Sequence, residues 1–234
     1  MIKNFLLAPF KYDLEPRQLF LFIQKFTGGP DAKKKILDVG CGYGRNLRPL
    51  KEAGYDVIGV EANSEIVSAN LKAGLPTFSS EQITNDSTQF DVILMSHIIE
   101  HFSPKILLPF MDGYLDKLKT GGYIIICTPL ITPNFYDDFD HVKPYQPTGI
   151  LMVFGTINSQ VQFYSRNKLK LEDLWFRRGH FFIHYARCKY VKSPWRILAY
   201  ALELCSIILF FGSLKLFGRA NGWMGVFKKV KAPC

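Results

Sequence analysis

The sequence predicts an α/β fold: a doubly wound, mostly parallel sheet with helices on both faces. Two observations predict it. Strand and helix signals alternate from residue 33 to residue 129, and the predicted strands are short apolar runs of the kind found in buried parallel sheets. Because parallel neighbours need right-handed crossovers, the helices must cover both faces of the sheet.

The first predicted helix covers residues 15–26, where apolar side chains recur at helical spacing. Four clear strands follow as KILDV, YDVIGV, FDVILM and YIIICTP. A further, weak strand is expected near residues 75–80, mainly because the alternation requires one there.

Three helices are predicted between these strands. RNLRPLKEAG closes on Gly54, and NSEIVSANLKAG begins at Asn63 or Ser64 and ends at Gly74. The third, SPKILLPFMDGYLDKLKTGG, should end at its glycine pair. Pro109 should kink it or mark a first turn that does not continue, because proline cannot donate the helical hydrogen bond.

The pattern changes after residue 129. Residues 130–149 combine three prolines and three acids without periodicity, which predicts a lid or substrate loop. For residues 165–181 a helix is favoured over a pair of strands, and GWMGVFKKV predicts a final strand.

The length of 234 residues and an apolar content of 48% indicate one globular domain with additions. We divide the predicted domain into an N-terminal helical cover, a core, a lid insertion and a basic, apolar C-terminal part. Their bounds are 1–32, 33–129, 130–164 and 165–234.

The glycine-rich stretch ILDVGCGYGRNL lies between a predicted strand and a predicted helix. Its spacing, with Gly40, Gly42 and Gly44, fits neither a dinucleotide site nor a P-loop. We expect its backbone N–H groups to face a ligand. Asp38 would repel a pyrophosphate but attract a cationic group, and Glu61, ending the next strand, suits a ribose diol.

These motifs, followed by FDVILMSHIIEHF and LKTGGYIIICTP, resemble class I S-adenosylmethionine-dependent methyltransferases over residues 33–130. The resemblance implies a Rossmann-like, seven-stranded sheet and S-adenosylmethionine as the cofactor. The adenine contacts are less defined, with Ser79, Ser80 and Glu81 as candidates. The cofactor-binding residues that the resemblance implies are Asp38, Gly40, Cys41, Gly42, Gly44, Glu61, Ala62 and Ser96.

The candidate catalytic residues are His97, His101 and the lid residue His141. His97, Glu100 and His101 share one face of a helical turn, so an imidazole could act as general base. Alternatively His97, Glu100, His101 and His141 ligate a divalent metal, with Glu100 and His101 as the first choice, although no metal is expected. A third possibility is that Glu100 and His101 only cap or pack the turn.

The metal alternative also has a resemblance behind it. The stretch looks like the E-x-x-E-H motif of ubiquinone-pathway O-methyltransferases and small-RNA ribose 2′-O-methyltransferases, with His97 at the place of the first glutamate. We predict methyl transfer to a small-molecule or lipid-linked acceptor, at oxygen. The alternatives are a metal-assisted RNA ribose 2′-O-methyltransferase and a non-catalytic cofactor-binding scaffold.

The basic residues concentrate in the last third of the chain. Residues 161–234 carry 14 basic and 3 acidic side chains, which points to an anionic partner surface. A nucleic-acid partner is not expected, because basic and aromatic residues do not interleave. The sequence predicts no oligomeric state.

The apolar segment 195–217 has a narrow polar stripe that includes Glu203. A helix buried against the sheet is favoured; the alternative is an interfacial helix on an anionic membrane, since cations flank the segment. A membrane span is not predicted, because Glu203 lies in mid-segment.

The five cysteines are scattered and lack C-x-x-C spacing, which suits a reducing compartment. The first 13 residues lack the features of a signal peptide. We therefore expect a cytoplasmic protein, with peripheral membrane contact if the apolar helix is interfacial.

Overall fold

The structure is a computed structural model that describes residues 14–157, 159–181, 187–191 and 193–231. The first 13 residues, for which no signal peptide is predicted, lie outside the described residues. The strands within the described residues are β1 Lys35–Val39, β2 Asp56–Glu61, β3 Thr77–Ser79, β4 Phe90–Ser96, β5 Leu118–Pro129, β6 Lys168–Gly179 and β7 Arg219–Val230. The helices are α1 Glu15–Thr27, α2 Leu47–Glu52, α3 Ser64–Lys72, α4 Ser80–Asn85, α5 Pro104–Lys117, α6 Pro147–Phe154, α7 Arg187–Tyr190 and α8 Trp195–Gly212.

These strands form one sheet in the order β3-β2-β1-β4-β5-β7-β6. The first five strands run parallel, and β7 lies antiparallel between β5 and β6. The chain therefore winds outward in both directions from β1 and β4. Ligands of open α/β sheets bind at such a switch point, beyond the carboxyl ends of the strands. The sheet confirms the predicted fold class.

The core has two layers, one on each face of the sheet. In β4, Val92 and Leu94 pack with α1 and α2, whereas Ile93 and Met95 pack with α5 and α6. Successive strand residues point to opposite faces, so a strand covered on both sides is apolar throughout. The apolar runs of the sequence thus correspond to the covered strands.

The predicted helix boundaries are confirmed at several positions. Asn63 is the N-cap of α3, and its side chain accepts hydrogen bonds from the backbone N–H groups of Glu65 and Ile66. Gly54 and Gly74, just past two helices, adopt left-handed backbone conformations. The weak strand expected near residues 75–80 is the three-residue β3.

The end of α5 was predicted wrongly. The helix continues through Pro109 and ends at Lys117, before the glycine pair. The next residue, Leu118, is buried and already pairs with Phe90 in the sheet. Burying Leu118 in the sheet therefore outweighs extending the helix to the glycines.

The preference for a helix over residues 165–181 was also wrong, since β6 occupies most of that stretch. Leu171, Leu174 and Trp175 have the i, i+3, i+4 spacing of a helical face. Leu169 and Leu171 instead alternate with polar residues, as in a strand. Antiparallel pairing with β7 along the whole length of β6 provides partners for the backbone N–H and C=O groups, and this favours the strand over the helix.

The lid insertion contains α6 but is otherwise mainly irregular. Several hydrogen bonds attach it to the core. Among them, the Trp223 indole N–H donates to the carbonyl of Tyr145 over 2.8 Å, and the Tyr145 hydroxyl donates to the carbonyl of Phe102 over 2.9 Å. The lid next to these bonds is therefore held by the sheet.

The apolar helix α8 is long and apolar enough to cross a membrane, judged by length and composition, but only 22% of it is buried. Burial against the sheet, which we favoured from the sequence, is therefore wrong for most of its surface. Within the described part of the chain the cysteines are free thiols, at positions 41, 127, 188 and 205.

Candidate active site

The glycine loop connects β1 to α2 at the switch point of the sheet. Gly40, Gly42 and Gly44 all have positive φ angles, of 66°, 51° and 83°. A Cβ atom on Gly40 would overlap the side chain of Ile98, and one on Gly44 would lie 2.6 Å from Leu75. The loop therefore needs glycine for backbone conformation and for close contact with the chain after β4.

The N–H groups of this loop bond within the protein. Those of Gly40 and Cys41 donate to the carbonyl of Val60 over 2.8 and 3.0 Å, and that of Gly42 donates to Glu61 Oε2 over 3.0 Å. The prediction that they face a ligand is therefore wrong in this structure. A loop whose amides are already bonded is a poor phosphate cradle, which agrees with its spacing.

The Glu61 carboxylate is fixed at the carboxyl end of β2. Besides the Gly42 N–H, it accepts the N–H groups of Ala62 and Asn63 at Oε1, over 2.8 and 3.0 Å. Two carboxylate oxygens offer about four lone-pair positions, so these three bonds orient the group and leave it able to accept another. Such an oriented acceptor suits a hydroxyl of a ribose diol.

Asp38 lies under the glycine loop and is fully buried. Its Oδ2 atom has no hydrogen-bond partner among the described residues. Burial raises the pKa of Asp38 to about 7, against the opposing effect of hydrogen bonds from the Asn46 side chain and the Leu47 backbone. An unpaired buried carboxylate oxygen favours a cationic group, so the site fits the positively charged end of S-adenosylmethionine.

His97 follows β4 directly and has a left-handed backbone, with φ at 58°. Both ring nitrogens face carboxylates: Nε2 lies 2.7 Å from Glu15 Oε1, and Nδ1 lies 3.2 Å from Glu100 Oε1. Burial works to lower the pKa of His97. Its bonds to Cys127, Glu100 and Glu15 outweigh burial and raise the pKa to about 11. His97 is therefore an imidazolium held between two acids.

Glu15 reaches this site from the first turn of α1 and is buried there. It also forms an ion pair with Arg177 of β6, and Arg45 lies 3.7 Å away. Although burial alone would raise the pKa of Glu15, His97 and Arg177 lower it to about 2. The sequence analysis missed Glu15 and Arg177, because only the fold brings these distant elements together.

His101 and His141 form a second pair of imidazoles, with ring centroids 5.0 Å apart. Nδ1 of His101 lies 3.1 Å from the carbonyl oxygen of Asp140, and Nδ1 of His141 lies 2.6 Å from that of Phe135. Because a carbonyl oxygen only accepts, each Nδ1 carries a proton. In both rings Nε2 is then the nitrogen left to exchange a proton, and that of His141 lies 3.7 Å from Asp138 Oδ2.

Two clusters in the described residues have metal-ligand chemistry. Glu15, His97 and Cys127 form one cluster; Glu100, His101 and His141 form the other, with the ligand atoms of each within 4.8 Å of one another. Glu100 is fully buried and accepts the Thr128 hydroxyl over 2.9 Å. The turn thus brings Glu100 and His101 together as predicted, and the lid adds His141.

A cavity of about 450 Å³ lies between the lid and the start of the β6–β7 connection. The three candidate catalytic histidines all line it. Side chains that the sequence analysis did not select complete the wall, among them Phe135, Arg177, His180 and Arg219. The cavity therefore joins His97, His101 and His141 into one site at the carboxyl end of the sheet. Ser96, the last residue of β4, directly precedes His97 in the chain.

A doubly wound sheet with this glycine loop, and with Glu61 ending the next strand, defines a class I S-adenosylmethionine-dependent methyltransferase domain. The family model described as "Methyltransferase domain" matches residues 11–191. The chain belongs to that family.

Comparison with individual proteins agrees. A ubiquinone biosynthesis O-methyltransferase of Bartonella tribocorum is 31% identical over 107 residues, covering 42% of each protein. Its counterpart from Roseobacter denitrificans is 25% identical over 158 residues, covering 62% of this chain and 63% of the relative. The chain spans about half the length of the curated relatives it matches. A SAM-dependent methyltransferase from Archaeoglobus fulgidus superposes with a TM-score of 0.59 at 25% identity, covering 92% of this chain and 93% of that one.

Proposed function

We propose that this protein transfers the methyl group of S-adenosylmethionine to a hydroxyl oxygen of a small-molecule or lipid-linked acceptor bound in the cavity. One observation carries the proposal: His101 and His141 line the cavity with each Nδ1 bonded to a carbonyl, which leaves a basic Nε2 on each ring. The O-methyltransferase name of the curated relatives supports oxygen as the accepting atom.

The cofactor would be held at the switch point by two acids. Glu61, oriented by its three backbone bonds, would accept ribose hydroxyls, and the unpaired oxygen of Asp38 would face the cationic end. When bound, S-adenosylmethionine would supply a sulfonium methyl group open to in-line attack by the acceptor oxygen, with the neutral thioether of S-adenosylhomocysteine as the leaving group. The protein's task is then mainly to position the acceptor oxygen and to remove its proton.

The three histidines of the cavity have different roles in this proposal. His101 or His141 receives the hydroxyl proton at Nε2, since Nδ1 of each ring already donates to a backbone carbonyl. His97 is already protonated and does not act as the base. It holds Glu15 and Glu100 in place at the floor of the site.

The test begins with a screen of metabolite and lipid extracts for transfer of labelled methyl groups. With an acceptor in hand, His101→Ala and His141→Ala are compared for turnover. Loss of the general base should lower turnover by about 10²–10⁴-fold while calorimetric binding of S-adenosylhomocysteine stays unchanged. His180→Gln, which removes an imidazole from the β6 side of the same cavity, is the matched control and should cost less than about tenfold. Full turnover in both alanine variants would contradict the proposal.

The cluster of Glu100, His101 and His141 favours a second candidate, metal-assisted methyl transfer. A divalent ion there would lower the pKa of the acceptor hydroxyl in place of a general base. Dialysis against a chelator separates the two. Lost turnover that Mg²⁺ or Mn²⁺ restores supports the metal, whereas turnover unaffected by chelation supports a histidine base.

A further inference from the structure

The helix α8 presents a broad apolar face to solvent. Ile197 and Leu202 are 78% and 51% exposed, and the exposed apolar residues continue past the end of the helix. We define the α8 face as the exposed residues Trp195, Ile197, Leu198, Leu202, Ile208, Leu209, Leu214 and Leu216. A contiguous surface of this kind usually marks an interaction site.

The opposite side of α8 is seated on the protein. Ala199, Glu203, Ile207 and Phe210 form its buried stripe, at the spacing of one helical face. Glu203 forms an ion pair there with Lys189, so the acid in mid-helix is neutralised within the protein. The helix therefore lies along the surface of the domain with its remaining apolar side chains outward.

The sequence around α8 is rich in basic residues. Arg187, Arg196 and Arg219 are exposed, and Glu203 is the only acid between residues 187 and 219. An apolar surface with a cationic rim is complementary to anionic lipid headgroups over acyl chains. A second copy of this chain fits less well, because a two-fold contact would bring the same arginines together.

We propose that the α8 face binds an anionic lipid bilayer peripherally, with the helix axis along the membrane surface. The apolar side chains of the face enter the boundary between headgroups and acyl chains, and the arginines pair with anionic headgroups. This docking does not depend on methyl transfer.

The position of the α8 face bears on the acceptor. The same β6–β7 connection that carries α8 contributes His180 and Phe181 to the cavity wall, and Arg219 joins them at the start of β7. Docking would place the cavity beside the bilayer, where an acceptor with an apolar tail is taken up without leaving the membrane. This consequence, unlike the docking itself, rests on the proposed function.

The experiment is flotation of the full chain with vesicles of phosphatidylcholine, with and without phosphatidylglycerol. The wild-type protein should float only with phosphatidylglycerol present and should be released by high salt. Leu202→Asp and Ile197→Asp should each lower the partition coefficient about tenfold or more, because each removes one inserted apolar side chain. Arg196→Gln should lower it about fivefold.

Leu71→Asp is the matched control, since Leu71 is a helical leucine, 56% exposed on α3, outside the α8 face. It should float like the wild type. Leu202→Ser and Ile197→Ser repeat the comparison if an aspartate variant loses its near-ultraviolet circular dichroism. Because all variants are also tested for S-adenosylhomocysteine binding, failure of docking and failure of the proposed function are distinguishable.

Alternatives to peripheral membrane binding of the α8 face would give different results. A spanning helix would overturn the proposal. It would keep the protein on the vesicles in alkaline carbonate, and the membrane depth of a probe attached at successive positions from residue 197 to residue 209 would change steadily. A wild-type dimer by light scattering that Leu202→Asp dissociates, without flotation of either protein, would assign the α8 face to a second copy. Wild-type protein that stays in the soluble fraction with phosphatidylglycerol vesicles would also overturn it.

Discussion

Replacing Glu15 tests the charge network beneath the cavity most directly. Its carboxylate accepts from the His97 imidazolium and from the Arg177 guanidinium. Charged hydrogen bonds contribute about 1.5–3 kcal/mol each, and removing one partner of a buried ion pair costs about 3–5 kcal/mol. His97 and Arg177 each keep about a quarter of their side-chain surface in water, 29% and 26%, which favours the lower end. We expect Glu15→Ala to lower the free energy of unfolding by about 3 kcal/mol.

The free energy of unfolding lost in Glu15→Ala should depend on pH. His97 has a pKa raised from 6.5 to about 11, so its contribution is complete below pH 6.5 and is lost as pH rises toward 11. Glu15 has a pKa lowered from 4.5 to about 2, so its contribution is complete above pH 4.5 and is lost as pH falls toward 2. The difference between wild type and Glu15→Ala should therefore be largest between pH 4.5 and pH 6.5.

The assay is urea unfolding at a pH within that window and again near pH 9, with the slope against urea checked for equality between variants. Glu65→Ala, an exposed acid in the first turn of α3, is the matched control and should cost less than about 0.5 kcal/mol. Glu15→Gln should fall between the two, since its amide keeps an uncharged acceptor. A loss below about 1 kcal/mol in Glu15→Ala, or a loss equal at both pH values, would refute the reasoning.

Three further predictions concern the cofactor site and use calorimetric binding of S-adenosylhomocysteine. S-adenosylhomocysteine lacks the sulfonium charge but keeps the α-ammonium group, which would favour the ionised form of Asp38. Because burial raises the pKa of Asp38 to about 7, binding should strengthen as pH rises to about 7 and then level off. Asp38→Asn should abolish this dependence, and a wild-type affinity independent of pH would argue against the contact. Glu61→Ala should weaken binding by about 1–3 kcal/mol, the cost of lost charged hydrogen bonds, and an unchanged affinity would mean that the ribose site is misplaced. Gly40→Ala, which overlaps the Ile98 side chain at a positive φ, should destabilise the fold and weaken binding, whereas Ala at Gly29, where the added Cβ meets nothing within 4 Å, controls for the conformational cost alone.

Local patterns were sufficient for the parallel half of the sheet. In the interiors of β1, β4 and β5, apolar residues on both faces pack into the two core layers, so their sequences contain runs of consecutive apolar residues. The capping of α3 by Asn63 is equally local, because the bonds span only three residues. β6 was mistaken because its amphipathic residues fit two periodicities, and only pairing with β7 selects one.

The candidate site divides in the same way. The sequence by itself determined the glycine loop, Asp38 and Glu61, because their roles follow from backbone conformation and charge within short segments. It also selected His97, Glu100 and His101, which a single turn brings together, but not what each does. Tertiary structure alone decided that His97 is a cation, because the required acid, Glu15, lies 82 residues away on another element.

Tertiary structure likewise decided the fate of the apolar helix. Composition made α8 equally fit for a protein core and for a membrane surface. Which of its faces is covered depends on the neighbours that the fold supplies, and these cover a single stripe. Hydrophobicity is a property of the residues, whereas burial is a property of the packing around them, and so the sequence left this question open.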